Sequence, residues 1–388
     1  MDHKIAARTS LIRSASDAGS KVFATILTRS PISRIDIARH TGLSQAAVTK
    51  AVSPLVAAGL VDAPPAAHRD GNPGRPVAPV SIIPEALIML GVKVNVDEVI
   101  AVATDLRTAV LASEQRALAA HDPQAVLEAI VDVVSALESR LGDRSASIAG
   151  LGVSVSGDVD TETGVVRESA IMGWIDEDFG GRLQERLGRP VTLENDVHAL
   201  TIGEHWFGVG LGTASFAIVT IGRGIGSGLH LNGQVVTGAY GVSGEIGHLF
   251  LADPERICAC GRRGCVEAVA STGAIEAAVS AAHGRDVIID EAVRLAHKGD
   301  PAAEAAFREA AAVIGTAIAT LVNLAGPELV IIGGEGVTNF DLFEQTLRTS
   351  FNAHAFGAAA RCPIVTRPHT FQDWARGAAA AAIQSLVR

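Results

Sequence analysis

Residues 238–248 read GAYGVSGEIGH, and residues 258–267 read CACGRRGCVE. His248 precedes Cys258, Cys260 and Cys265 in the spacing His-x9-Cys-x-Cys-x4-Cys. One His with three Cys matches a closed tetrahedral zinc site, which is structural because four protein ligands leave no position for water. The alternative is that the cysteines are crowded by chance and that His248 lies elsewhere.

Strands and helices alternate around these motifs, which is typical of an α/β fold. Residues 191–193 form a predicted strand that delivers Glu194, Asn195 and Asp196 to its C-terminal end, where a helix begins. Ligands of α/β sheets bind at such strand ends. Asp196 is therefore either a ligand-binding carboxylate or the N-cap of that helix. A later predicted strand, residues 216–221, leads into a series of glycines whose backbone can approach a ligand closely.

Length, composition and cysteine content indicate a soluble cytoplasmic protein of several domains. The chain has 388 residues, of which 48% are hydrophobic. Three of the four cysteines lie within eight positions, which favours a metal site in a reducing cytoplasm over a disulfide framework. The uncharged stretch 310–327 contains Thr316, Thr320 and Asn323. We therefore predict a buried helix there, not a membrane span.

Charge is distributed unevenly along the chain, although the net charge is only -10. The first 84 residues contain ten Lys and Arg against five Asp, and the remainder contains 22 basic against 37 acidic residues. A basic N-terminal segment on an acidic body is typical of a DNA-binding domain joined to a domain with another role. A basic surface that is simply solvated is the alternative.

The N-terminal segment carries the pattern of a helix-turn-helix. Apolar spacing predicts a first helix over residues 16–29. Ser33 is the expected N-cap of a second helix that ends at Gly42, and Ser44 caps a third helix that closes at Gly59. The third helix is expected to enter the major groove of DNA with its N-terminal end.

Two further strands around the loop 69–79 predict a wing. This loop contains Gly74-Arg75-Pro76, and an arginine on such a loop can lie in a narrow minor groove, where the negative potential attracts it. Together the helix and the wing indicate binding to a double-stranded DNA operator. The predicted DNA-binding residues are Ser44, Gln45, Ala46, Thr49, Lys50 and Arg75.

The motifs around the cysteines resemble the signature of the ROK (repressor, open reading frame, kinase) family of sugar kinases and regulators. ROK regulators also carry an N-terminal winged helix with a Gly-Arg-Pro loop, so this chain resembles the xylose and N-acetylglucosamine repressor type over nearly its whole length. The resemblance implies an actin-like, hexokinase-type fold of two α/β lobes around a cleft, with zinc in the larger lobe.

The same resemblance predicts the domain boundaries. We expect a winged helix-turn-helix DNA-binding domain at residues 1–84 and a ROK domain at residues 85–388. The lobes of the ROK domain are expected at about residues 85–195 with the C-terminal end, and at about 196–375. The resemblance also implies dimers or tetramers.

A sugar site beside the zinc is implied as well. Family members hold the sugar through the Asn and Asp of a Glu-Asn-Asp segment, the Glu and His that flank Ile-Gly, and the Glu after the last zinc cysteine. Carboxylates and amides can pair with sugar hydroxyls in any such pocket. The zinc-bound histidine would lie beside the sugar, so that the metal fixes its orientation. The matching positions here are Asn195, Asp196, Glu245, His248 and Glu267.

The segment that matches the first phosphate-binding turn of ROK kinases departs from the family pattern. Active members resemble one another in an Asp-x-Gly-Gly-Thr turn, whereas residues 91–97 read GVKVNVD. Lys93 stands where the acid would help to place magnesium, and Asn95 and Val96 replace the glycines. A lysine cannot bind magnesium and a β-branched residue obstructs phosphate. We therefore predict no catalytic residues, although Asp196 would be the general base of a kinase.

Three functions are compatible with these features. The leading hypothesis is a transcriptional repressor or activator that binds a palindromic operator and responds to a sugar or sugar phosphate. The first alternative is a glucokinase-like or N-acetylhexosamine kinase with an appended DNA-binding domain. In this context, residues 222–226 keep the glycines of the second phosphate loop, with Arg223 at a position for a small residue. The second alternative is a body that responds to a protein partner.

Overall fold

A five-stranded sheet forms the centre of each of two units into which the chain divides. The computed structural model describes residues 3–64 and 79–387. The first unit comprises Met1–Leu211 and Gln372–Arg388, and the second comprises Gly212–Phe371. The DNA-binding segment predicted from the sequence belongs to the first unit.

The N-terminal part of the first unit contains the predicted helices and strand pair. The hydroxyls of Ser16, Ser33 and Ser44 each accept a backbone N–H three residues further on, as N-caps do. Gly42 adopts φ +70° between the second and third predicted helices, a conformation that favours glycine. The elements are α1 (His3–Arg13), α2 (Asp17–Arg29), β1 (Ile32–Ser33), α3 (Arg34–Thr41), α4 (Gln45–Ala57), β2 (Val61–Asp62) and β3 (Pro79–Ile82).

Two elements of this part are not predicted from the sequence. Helix α1 buries only Ile5, Thr9 and Ile12, so its hydrophobic periodicity is weak. Strand β1 has two residues and pairs through Ile32 with Val80, which makes the wing a three-stranded sheet in the order β1-β3-β2. Both elements depend on tertiary contacts that short sequence patterns do not record.

The central sheet of the first unit has the order β11-β7-β4-β5-β6. Strands β4, β7 and β11 are parallel, and β4, β5 and β6 form an antiparallel meander. One face of the sheet is covered by α5 and α6, which form a continuous hydrophobic core with it. The elements are β4 (Ile88–Val94), β5 (Glu98–Thr104), β6 (Val110–Ala117), α5 (Pro123–Leu141), β7 (Ile148–Val155), β8 (Asp158–Asp160), β9 (Val165–Ser169), β10 (Trp174–Glu177), α6 (Phe179–Leu187) and β11 (Val191–Asn195).

The C-terminal helix α13 (Phe371–Val387) lies directly on the other face of this sheet. A Cβ atom at Gly91 would lie 2.0 Å from the Ala375 carbonyl oxygen, so only glycine permits this approach. Helix α7 (Asp196–Phe207) also packs on α13, since a Cβ at Gly377 would lie 2.9 Å from the backbone of Ala199. For this reason α7 belongs to the first unit, and the second unit begins at residue 212 instead of the expected 196.

The second unit has a sheet of the order β14-β13-β12-β15-β16 and a helical core around α11. The Phe307 and Phe343 rings meet edge to face at 5.4 Å between α11 and α12. The elements are β12 (Phe216–Ile221), β13 (Ile225–Leu231), β14 (Gln234–Val235), α8 (Glu267–Ala270), α9 (Thr272–His283), α10 (Ile289–His297), α11 (Pro301–Ala325), β15 (Leu329–Gly333), α12 (Asp341–His354) and β16 (Ile364–Thr366).

Helix α11 is the long apolar helix of the second unit. Within residues 3–64 and 79–387, it alone is long and apolar enough to cross a membrane by length and composition, and 61% of its most apolar window is buried. The core helix of a soluble protein meets the same criteria, and α11 packs closely on α12. A Cβ at Gly315 would lie 2.4 Å from the Leu347 carbonyl oxygen.

Candidate functional site

The N-terminal end of α4 presents an exposed polar face. Val48, Val52 and Leu55 are buried, whereas the four residues predicted to read bases are exposed. Ser44 is exposed too, but its hydroxyl accepts a backbone N–H at 3.2 Å as the N-cap. The predicted wing residue Arg75 lies outside the described residues. The four exposed positions are Gln45, Ala46, Thr49 and Lys50.

The predicted metal ligands come together in the second unit. The ligand atoms of His248, Cys258, Cys260 and Cys265 all lie within 4.8 Å of one another. Cys258 Sγ lies 3.8 Å from His248 Nδ1, and Cys260 Sγ lies 3.9 Å from Cys265 Sγ. A tetrahedral ion with metal–sulfur bonds of about 2.3 Å separates its sulfurs by about 3.8 Å, so the donor set fits. The part of the alternative that places His248 away from the cysteines is wrong.

Two of the thiols, those of Cys258 and Cys265, are buried, which disfavours their ionised form. Burial raises the pKa of the Cys258 thiol to about 12 and also raises the pKa of Cys265. The thiolate is the form that binds a metal. The turn is formed locally, since Gly261 and Gly264 adopt φ of +83° and +76° between the cysteines.

Three of the predicted sugar ligands lie at this cluster in the second unit, and one of them, His248, belongs to it. Glu245 Oε2 lies 3.9 Å from His248 Nε2, while His248 Nδ1 faces Cys258. The imidazole therefore has one nitrogen towards the cysteines and one towards a half-exposed carboxylate. Glu267 follows the last cysteine in sequence, and its Oε1 lies 3.8 Å from Cys258 Sγ. The structure thus brings Glu245, His248 and Glu267 to one region.

Asn195 and Asp196 belong to the first unit, at the junction of β11 and α7. Asn195 is the N-cap of α7: its amide oxygen accepts the N–H groups of Val197 and His198 at 2.9 and 3.1 Å. Its amide nitrogen donates to the Gly157 carbonyl at 2.9 Å. The proposal that Asp196 is the N-cap is therefore wrong, and most of the hydrogen-bonding capacity of Asn195 is used within the protein.

Asp196 forms a buried ion pair that the sequence does not reveal. Lys93 Nζ lies 2.5 Å from Asp196 Oδ2, and the two side chains are 7% and 12% exposed. The ammonium also lies 5.4 Å from the centre of the Trp374 ring, a cation–π distance. The sheet register explains the pairing, because Lys93 pairs with Ser154, which pairs with Glu194 on β11. The sequence shows both charges but not this register.

The glycine turn between β12 and β13 is occupied by two carboxylates. Glu335 Oε1 accepts the N–H of Arg223 at 2.8 Å, and Glu267 Oε2 accepts the N–H of Ile225 at 3.0 Å. Glu335 was not predicted as a functional residue. The only sequence signal was a charge inside the glycine-rich segment Gly333-Gly334-Glu335-Gly336.

Comparisons with known proteins agree with this architecture. The family model described as "ROK family" matches residues 89–385. The chain is 27% identical over 338 residues to the DNA-binding transcriptional repressor Mlc of Escherichia coli (strain K12), covering 84% of this chain and 83% of Mlc. It is 26% identical over 331 residues to the xylose repressor of Bacillus subtilis (strain 168), covering 85% of each chain.

Solved structures of ROK proteins have a similar fold. A ROK family transcriptional regulator described as a homologue of E. coli Mlc matches with a TM-score of 0.81 at 24% identity, covering 96% of this chain and 97% of that chain. A ROK family glucokinase from Streptomyces griseus, solved with glucose and AMPPNP, matches with a TM-score of 0.65 at 25% identity, covering 75% of this chain and 98% of that chain. With the family model spanning most of its length, this chain belongs to the ROK family.

Proposed function

We propose that this protein is a cytoplasmic, sugar-responsive transcriptional repressor. Its N-terminal domain binds an operator, and its ROK domain binds a sugar or sugar phosphate without phosphorylating it. Similarity to proteins named as repressors supports this proposal, since it covers about as much of this chain as of those proteins. The glucokinase structure, in contrast, covers only 75% of this chain. As in most regulators of palindromic operators, a homodimer or homotetramer is the acting species.

The buried Lys93–Asp196 pair is the main structural observation that favours a regulator over a kinase. A general base must accept a proton from the sugar hydroxyl, and its carboxylate must be free to do so. Here Asp196 Oδ2 is held by an ammonium at 2.5 Å in a largely water-excluded site. The same lysine places a positive charge where a kinase would need a magnesium ligand. Both effects oppose phosphoryl transfer and leave binding possible.

The sugar-binding residues are proposed separately for each unit. In the first unit, Asp196 contributes its carboxylate, and Asn195 has only one amide hydrogen left for a ligand. In the second unit, Glu245, His248 and Glu267 offer acceptors and an imidazole. These groups match the alternating donors and acceptors of a polyol, and an unpaired buried group discriminates strongly against an analogue that lacks the partner hydroxyl.

A structural zinc ion is proposed for the second unit. His248, Cys258, Cys260 and Cys265 would hold it, and zinc would supply the positive charge that keeps the buried thiols ionised. The residues around the cluster orient the imidazole. His248 Nδ1 faces Cys258, and Nε2 faces Glu245. The histidine tautomer is thereby fixed for a ligand.

Arg8 connects the DNA-reading helix to the body within the first unit. Its guanidinium donates to the carbonyls of Ala58 and Gly59, at the C-terminal end of α4, at 2.8 and 3.2 Å. It also donates at 2.7 Å to the carbonyl of Ala86, two residues before β4. Lys93, the partner of Asp196, is the penultimate residue of strand β4. We propose that this chain of contacts transmits a change at Asp196 to α4.

An ATP-dependent sugar kinase is the second candidate. The retained carboxylate of Asp196 and the retained glycines at residues 222–226 favour it. The two candidates differ in turnover, because a repressor binds sugar without producing ADP.

Two measurements on the full-length protein decide between them. We expect selection from a random duplex library to yield a palindromic operator, and we expect no sugar-dependent ADP release with glucose, xylose or N-acetylglucosamine. Robust ADP release that is abolished by Asp196→Asn would contradict the proposal. Glu185→Gln, on the exposed side of α6, is a matched control for the charge change.

A further inference from the structure

The turn between β12 and β13 has the chemistry of an anion site, and the chain itself supplies the anion. Backbone N–H groups that converge in a glycine-rich turn form a concavity of positive partial charge. Here the N–H of Arg223 points at Glu335 Oε1 at 2.8 Å, with a carboxylate in the place that a free anion would take. The occupant comes from the loop after β15, 112 residues further along the chain.

The fit between this carboxylate and the turn is close. A Cβ atom at Gly222 would lie 2.1 to 2.5 Å from the carboxylate atoms of Glu335, so the glycine leaves the space that the carboxylate fills. Gly334 brings the donor loop near: it adopts φ +93°, and a Cβ there would lie 2.5 Å from the Ile221 carbonyl oxygen. Substitution at either glycine would displace the carboxylate from the turn.

A second carboxylate, that of Glu267, adds negative charge at the same turn. Glu267 Oε2 accepts the N–H of Ile225 at 3.0 Å and would lie 2.9 Å from a Cβ at Gly224. Two N–H groups of one turn are thus each satisfied by a carboxylate of the same unit. An incoming phosphoryl group would have to displace one negative charge and approach another, and like charges at such distances repel strongly.

We propose that Glu335 is an internal ligand that occupies a phosphoryl-binding turn at residues 222–226 and excludes external phosphate from it. The carboxylate also joins the loop after β15 to the β12–β13 turn. This inference goes beyond the proposed function, because a sugar-responsive repressor needs no particular occupant at this turn. It identifies one side chain whose removal uncovers a binding site for pyrophosphate or the diphosphate of ADP.

The test measures binding of inorganic pyrophosphate and of ADP to the full-length protein by isothermal titration calorimetry. Glu335→Ala is expected to bind both probes at least about tenfold more tightly than the wild type. Glu335→Gln keeps the shape and removes the charge, and it is expected to show a smaller gain. Glu328→Ala is the matched control, since Glu328 also accepts backbone N–H groups, of Ala214 and Ser215 at 3.0 and 3.1 Å, away from the turn.

The outcomes are distinct. If Glu328→Ala gains as much affinity as Glu335→Ala, or if the wild type already binds pyrophosphate as tightly as Glu335→Ala, the proposal is overturned. It is also overturned if Glu335→Ala and Glu335→Gln are both folded and neither gains affinity. Should Glu335→Ala not fold, the Glu335→Gln titration decides alone. None of these results depends on operator binding or on a sugar, so the repressor function stands or falls separately.

Discussion

The two units contain sheets with the same pattern of strands, yet their first hairpins differ in the charged groups that contact them. Each sheet has five strands, of which three form an antiparallel meander. The innermost strand of the meander, β4 or β12, pairs in parallel with a fourth strand, and the fourth pairs in parallel with the fifth. The β4–β5 turn of the first unit, residues 95–97, contains no glycine, and Lys93 of β4 forms the buried pair with Asp196. The β12–β13 turn of the second unit contains Gly222 and Gly224, and Glu335 accepts the N–H of Arg223 there.

The two hairpins therefore differ in the origin of the charge that contacts them. The cation of the first hairpin, Lys93, belongs to the hairpin strand itself and can be read from the local motif. A carboxylate brought from a distant loop leaves the motif intact and becomes visible only in the folded chain.

Loss of a metal ligand should give the largest effect, and only in the second unit. Cys265→Ser is expected to abolish zinc binding and to destabilise that unit by several kcal/mol, on the order of 5, because metal binding stabilises only the folded site. Zinc analysis of the purified protein and limited proteolysis with mass spectrometry measure both effects. Cys362→Ser is the control, since the Cys362 thiol contacts the Pro327 carbonyl at 3.3 Å and is no member of the cluster.

The expected proteolysis pattern distinguishes the units. New cleavage sites should fall within Gly212–Phe371, while residues 79–211 stay resistant. Retention of about one zinc per chain in Cys265→Ser, or early cleavage within residues 79–211, would contradict this prediction.

Breaking the buried ion pair of the first unit should lower the free energy of unfolding by nearly as much. Lys93→Met leaves the Asp196 carboxylate buried without its cation, and removal of one partner of such a pair costs about 3–5 kcal/mol. Urea unfolding measures the loss. In the double variant Lys93→Met/Asp196→Asn no charge is left unpaired, so most of the stability should return.

An exposed ion pair provides the comparison for this loss. Lys21 and Asp17 on α2 are 58% and 88% exposed, so Lys21→Met should change the free energy of unfolding by less than about 1 kcal/mol. If Lys93→Met is as mild as Lys21→Met, the pair does not have the role assigned to it.

Arg8→Ala should have an intermediate effect that is functional as well as structural. The variant loses hydrogen bonds to three carbonyls, and a loss of about 2 kcal/mol is expected from a charged donor. The ratio of operator dissociation constants with and without sugar should fall towards one. Arg13→Ala changes an exposed arginine of the same helix and should leave the ratio intact; equal ratios in both variants would refute the role of Arg8.

The smallest expected effect concerns base reading by α4. Gln45→Ala should cost about 1 kcal/mol of discrimination at one position of the half-site, because a single side chain contributes on this scale. Competition anisotropy with singly substituted duplexes measures it. Ser53→Ala, exposed further along α4, serves as the control. Equal weakening on operator and random DNA would show that Gln45 makes no base contact.

Much of the fold could be predicted from local sequence. The caps at Ser33 and Ser44 and the left-handed Gly42 depend on neighbouring residues, and the structure has all of them. The metal cluster was equally predictable, because its ligands lie within 18 positions of one another. Helix α1 was missed because few of its side chains are buried.

The candidate site was less predictable, because its decisive contacts join distant residues. Lys93 and Asp196 are 103 positions apart, and Arg223 and Glu335 are 112 apart. Each charge could be read from the sequence, but the pairing requires the order of the strands. The sequence predicts Asn195 as a sugar ligand but does not reveal that its amide also caps α7 and donates to the Gly157 carbonyl.

The most direct test of the account is the affinity of the full-length protein for its selected operator, measured by fluorescence anisotropy at fixed salt with and without each candidate sugar and sugar phosphate. The account predicts that one of these ligands changes the dissociation constant at least about fivefold, as expected for a coupling free energy of about 1 kcal/mol. A dissociation constant that no ligand changes, in protein that turns over ATP with sugar, would contradict it.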